Sequence, residues 1–155
     1  MTPEVSVRRA SADDAGEVAR LLYDFNREFD EYVPEIPLLT ERVRRHVEND
    51  ESTFLLVGAG PDGFAQLRFR TSLIADGLEA YLQELYVAPP LRGKGLGRAL
   101  LEAALEEARE RGATFIDLGT SETDTAARAL YESAGFINRE GGPDGPIMYV
   151  YERDL

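Results

Sequence analysis

Cysteine is missing from the 155 residues and histidine occurs once. Without cysteine there is no disulfide, no thiolate metal site and no cysteine nucleophile. The lone histidine, His46, argues against a His-based zinc site and a Ser-His-Asp triad. Positive charge is scarce, with 17 Lys and Arg against 29 Asp and Glu and a formal net charge of −12. A surface this acidic repels phosphate backbones, so no nucleic-acid partner is expected, and cationic partners suit it better. No apolar run approaches the roughly 20 residues that span a bilayer, which argues against a membrane role. The stretch Met1–Ala10 carries polar and charged residues where a leader would need an apolar core, so the cytoplasm is the expected compartment. Repeats, low-complexity tracts and interdomain linkers are also lacking.

What remains is an ordinary globular composition, 43% hydrophobic and 30% charged, of a length suited to one domain over residues 1–155. Val5–Arg9 alternates as a short strand. Ser11 is a plausible N-cap, and Val18, Leu21, Leu22, Phe25 and Phe29 recur at helical spacing, predicting a helix to about Glu28. Two prolines make Tyr32–Pro37 a loop before a charged helix, Leu39–Asn49. Strands are predicted from Phe54, over about Phe64–Leu73 and over Glu79–Ala88, with turns at Gly60–Gly63 and Asp76-Gly77. After Pro89-Pro90 the period changes. Leu96, Leu100, Ala104 and Ala108, with Leu101 and Leu105, form one buried helical stripe ending before Gly112. A short strand at Phe115, a helix capped near Asp124 and ending at Gly135, and strands at Phe136-Ile137 and Ile147–Tyr151 complete the chain. The order β-α-α-β-β-β-α-β-α-β-β implies an α/β (α+β) fold, with a mixed, mostly antiparallel sheet and helices on both faces.

The informative stretch runs from Gln83 to Leu101, where a strand meets a turn holding Gly93, Gly95 and Gly97 and then a helix. Glycines let a backbone approach a ligand closely, and N–H groups at a helix N-terminus point at an anion. Arg92, Lys94 and Arg98 concentrate positive charge there, against the acidic background. A Walker loop fails because glycine follows Lys94, and a dinucleotide loop fails on register. What is left, Arg92-Gly-Lys-Gly95-Leu-Gly97 after Leu85-Tyr86-Val87, resembles the pyrophosphate motif of the GNAT acetyltransferase superfamily. Ala129-Leu-Tyr131-Glu-Ser-Ala-Gly135-Phe136 is similar to a second element of that family. As a topology the resemblance covers the whole chain; its specific motifs span Glu84–Phe136.

The resemblance implies acetyl-CoA as co-substrate, bound by Leu85, Tyr86, Val87, Arg92, Gly93, Lys94, Gly95, Leu96, Gly97 and Arg98, with no metal. It implies direct transfer of acetyl to a primary amine. Glu84 is the candidate base, or else a strand glutamate that faces solvent or holds a salt bridge. A backbone N–H near Val87 is the candidate donor to the thioester oxygen. Tyr131 is the candidate acid for the departing thiolate, or else a tyrosine packing its helix. Full transfer from a tyrosine of pKa about 10 to a thiolate of about 8.5 is uphill by about 2 kcal/mol, so a strengthening hydrogen bond is the safer form. Relatives carry asparagine where this chain has Asp124, leaving an N-cap or a pantetheine contact open. Asp24, Glu28, Asp30, Glu31 and Glu35 stand near a single Arg27, so a small cationic metabolite or antibiotic is the expected acceptor, with Glu28 and Tyr32 as candidate contacts. A solvated helix face is the plainer explanation of that cluster. The alternatives are transfer to a protein lysine or N-terminus, and a non-catalytic acyl-CoA-binding regulatory module. A homodimer is a family-level expectation, and His46 reads as a surface residue.

Overall fold

The computed structural model describes residues 5–155. Met1–Glu4, the beginning of the stretch expected to lack a leader, lie outside the described residues. The chain divides into two compact units, Met1–Leu118 and Gly119–Leu155.

The first unit is a five-stranded sheet in the order β1-β2-β3-β4-β5. Its strands are β1 Val7–Arg9, β2 Thr53–Val57, β3 Gly63–Thr71, β4 Leu78–Val87 and β5 Ala113–Asp117. The first four pair antiparallel and β5 joins β4 in parallel, giving the expected mixed sheet. Two helices cross one face, α1 Ala15–Glu28 and α2 Ile36–Glu48. Helix α2 starts earlier than predicted, because Pro37 lies in its first turn, where the missing N–H costs nothing. Alternation along the strands sorts the core. Phe54, Leu56, Phe64 and Tyr86 pack with Val18, Leu21, Leu39 and Val43 of the two helices. Leu55, Val57, Ala65, Leu67, Ala80 and Leu82 are buried on the opposite face, which α3, Leu96–Glu110, covers with Leu100, Leu101, Ala104 and Ala108. Among the described residues, no helix is long and apolar enough to cross a membrane.

One irregularity shapes the sheet. Gln66 of β3 pairs with Glu84 of β4, but the next residue, Leu67, pairs with Leu82. Gln83 is therefore an extra residue on β4, a β-bulge that shifts the alternation by one. Directly paired residues share a face. Beyond the bulge Tyr81 and Glu79, opposite Arg68 and Arg70, thus lie on the Glu84 face, while Leu82 and Ala80 go to the α3 core.

In the second unit, α4 runs Thr125–Ser133. Asp124 is its N-cap, with Oδ1 accepting from the Ala127 N–H at 3.1 Å. At the other end the Gly135 N–H donates to Glu132 O and the Phe136 N–H to Tyr131 O, both at 3.1 Å. With Gly135 at φ 94°, this is a Schellman cap, and the Phe136 ring meets Tyr131 edge-on at 5.9 Å. The two strands predicted for the C-terminal segment are not formed. What exists is one bridge, Arg139 to Ile147, flanked by bonds from Glu140 N to Pro146 O and Met148 N to Asn138 O. Pro143 and Pro146 have no N–H to donate, and three glycines in this turn cost the most backbone entropy to order.

Candidate active site

Strand β4 hydrogen-bonds to β5 only as far as Tyr81 opposite Asp117. From Leu82 to Val87 that edge has no strand of the sheet beside it. The Ala88 N–H donates to Asp62 O at 2.8 Å, on the β3 side. Successive residues of a strand point their N–H groups to opposite edges, so the Val87 N–H faces the open edge. The Val87 carbonyl, on that same edge, accepts from Arg92 Nε at 2.9 Å.

The glycine turn follows. Gly93 and Gly95 have φ of 78° and 85°, values that side-chain-bearing residues avoid. A Cβ built on either would meet no atom within 4 Å, so the space over the turn is open. Gly95 is the N-cap of α3 and no side chain caps this end. The Ala99 N–H bonds back to Gly95 O, so Leu96, Gly97 and Arg98 carry the first-turn N–H groups that lie outside the helical ladder. Lys94 and Arg98, both exposed, flank them. Uncapped N–H groups, open space and positive charge suit a phosphate or pyrophosphate.

Arg92 plays a different part from the one expected. Its Nη2 lies 2.9 Å from both Glu28 oxygens, its Nε holds the Val87 carbonyl, and its guanidinium sits 5.7 Å from the Tyr86 ring centroid. It pins α1 to the end of β4. The Glu28 carboxylate, expected to meet an acceptor, is paired with Arg92 in this structure. The Tyr86 side chain is core, stacked on Phe25 at 4.9 Å, so only its backbone borders the open edge. Leu85 is half-buried, and Tyr32 lies in the α1–α2 loop, 89% exposed.

Glu84 sits on the α1–α2 face, one residue past the bulge. Burial pushes its carboxyl up from the usual range to about 7. Among the described residues no hydrogen bond or ion pair offsets that desolvation. Gln66, directly opposite and buried, is committed elsewhere: its Nε2 donates to Ser52 Oγ at 2.9 Å, and Ser52 Oγ lies 2.8 Å from His46 Nδ1. His46 is thus no simple surface residue but the end of a polar chain running to the residue facing Glu84. Tyr131 lies on α4 in the second unit. Among the described residues no group of three or more His, Asp or Glu is arranged to hold a metal ion.

Comparison with known proteins agrees with this geometry. Residues 18–136 match the model of the acetyltransferase (GNAT) family. The chain is 31% identical over 139 residues to YhfO of Bacillus subtilis, an uncharacterised N-acetyltransferase, covering 88% of this chain and 93% of that one. A crystal structure from Arthrobacter sp. FB24, provisionally assigned as an acetyltransferase, superposes with a TM-score of 0.90 at 38% identity over 100% of this chain and 99% of that one. The streptothricin acetyltransferase of Streptomyces lavendulae is 37% identical over 89 residues, 56% of this chain and 45% of that one. The chain belongs to the GNAT family of N-acetyltransferases.

Proposed function

We propose that this chain transfers the acetyl group of acetyl-CoA directly to a small primary amine, with Glu84 as general base. The observation that carries this reading is the Glu84 carboxyl, half-buried, without a hydrogen-bond or ion-pair partner among the described residues and raised to about 7, on the strand that leads into the glycine turn. A base with a pKa near the working pH is at its most effective. A purely acyl-CoA-binding module has no need of such a group.

In this reading the pyrophosphate rests on the N–H groups of Leu96, Gly97 and Arg98, close to the backbone at Gly93 and Gly95, with Lys94 adding charge. Acetyl-CoA, when bound, supplies the thioester carbonyl. The amine loses its proton to Glu84 as nitrogen bonds to that carbon, and the Val87 N–H donates to the carbonyl oxygen. The C–S bond then breaks, and the thiolate takes a hydrogen bond from Tyr131. The role of Tyr131 rests on the motif alone. The streptothricin relative is consistent with a small-molecule acceptor.

Three outcomes are expected. Gly95→Asp forces a side chain into a left-handed position and a negative charge into the anion site, so the rise in melting temperature produced by CoA is lost. Glu84→Gln lowers kcat by about 10²–10⁴-fold and removes the limb with apparent pKa near 7 from the pH–rate profile. It also stabilises the fold. The folded chain keeps the Glu84 proton up to about pH 7 while the unfolded chain loses it near 4.3, so the wild type sheds stability as pH rises through that window. Urea unfolding at pH 8 then finds the variant more stable by roughly 1–3 kcal/mol, and the gap closes near pH 4. Tyr131→Phe lowers kcat with little change in acetyl-CoA affinity; unchanged turnover removes Tyr131 from the mechanism.

A further inference from the structure

Arg68, Arg70 and Tyr81, on the Glu84 face past the bulge, line a small hollow of about 270 Å³ together with Phe69, whose register places it on the opposite face. Its two arginines differ. Arg70 Nε donates to Glu79 Oε2 at 2.7 Å and Arg70 Nη2 lies 3.6 Å from Asp117 Oδ1, so its charge is matched twice within the protein. Arg68 is exposed and has no acidic group within ion-pair distance among the described residues. It stands directly opposite Tyr81 and two residues along β3 from Gln66, the residue facing Glu84. Two strand residues span about 7 Å, within the combined reach of an arginine and a glutamate. Glu84 and Arg68 thus occupy positions on one face of the sheet, one register step apart across β3 and β4.

We propose that Arg68 binds a carboxylate on the acceptor while Glu84 meets its amine, making the acceptor class small amino acids whose amine and carboxylate lie a few bonds apart. This rests on the acetyl-transfer reading and names its substrate class. The planar guanidinium matches a carboxylate with two parallel hydrogen bonds. A single charge fits better than a phosphate, because Glu79, Asp117 and Glu84 on the same face repel a second negative charge. Two of the acidic residues expected to attract a polycation are engaged within the protein, Glu28 by Arg92 and Asp24 at 3.7 Å from Arg20.

The test measures CoA release from acetyl-CoA with glycine, β-alanine, γ-aminobutyrate and lysine, each beside its carboxamide, and with putrescine. The wild type is expected to favour at least one acid over its amide by about 10–100-fold in kcat/KM, mainly through KM. Arg68→Gln collapses that ratio to within about threefold and Arg68→Lys restores part of it, in variants whose melting temperatures match the wild type. Equal turnover of acids and amides, a preference for putrescine, or an acid-to-amide ratio that survives Arg68→Gln overturns the proposal while leaving acetyl transfer intact. Absence of CoA release with every amine overturns the acetyl-transfer reading itself, and this proposal with it.

Discussion

Strand β4 carries one residue more than its antiparallel partner, and that extra residue, Gln83, decides what each face of the sheet holds. With strict alternation, Leu82 and Ala80 would follow Glu84 on one face. The bulge instead sends both into the α3 core, where each is buried, and turns Tyr81 and Glu79 out beside Arg68 and Arg70. Glu84 sits where the two patterns meet. On one side of it the face is apolar, with Phe64 and Tyr86 under α1. On the other it is polar and open. The carboxyl lies near enough to the core to be desolvated, on the face that carries Arg68 and Tyr81 beyond the bulge.

The other boundary of the site is set by chain pairing. Parallel pairing with β5 stops at Asp117, so the Leu82–Val87 edge keeps N–H groups that no strand claims. Arg92 then ties the end of this edge to α1 through Val87 and Glu28. An arginine so occupied acts as a strut, and in the proposed reading an anion is recognised by backbone N–H groups and Lys94. That division suits a chain of net charge −12. Fixed dipoles at a helix end offer positive potential without adding side chains that acidic neighbours would capture.

Local chemistry was legible in the residues alone. The α3 stripe and its glycine start follow from short-range spacing, and the turn carries the resemblance to the GNAT family. So does the Tyr131–Phe136 motif, whose glycine and phenylalanine close a Schellman cap that the helix needs whatever Tyr131 does. Asp124, left open between a cap and a pantetheine contact, is a cap. What stayed hidden depends on register between strands. A bulge leaves no mark in the spacing of β4, so Arg68 and Tyr81 could not be assigned to the Glu84 face. The Arg92–Glu28 pair spans 64 residues and the Gln66–Ser52 bond 14, and only the fold brings them together. The last strands failed in the reverse sense. Ile147–Tyr151 has strand-forming side chains, but its single bridge, from Ile147 to Arg139, is not extended into a ladder.

One half-buried carboxyl, that of Glu84, is central to the proposed chemistry. Carbon-detected NMR of the Glu84 side-chain carboxyl in the free chain, assigned by comparison with Glu84→Gln, measures its titration directly. The structure predicts a midpoint near pH 7, against about 4.3 for a glutamate in an unperturbed model peptide. A midpoint in the ordinary range would mean that Glu84 is hydrated. It would then have no claim to act as a base tuned to neutral pH, which contradicts the mechanism at its centre.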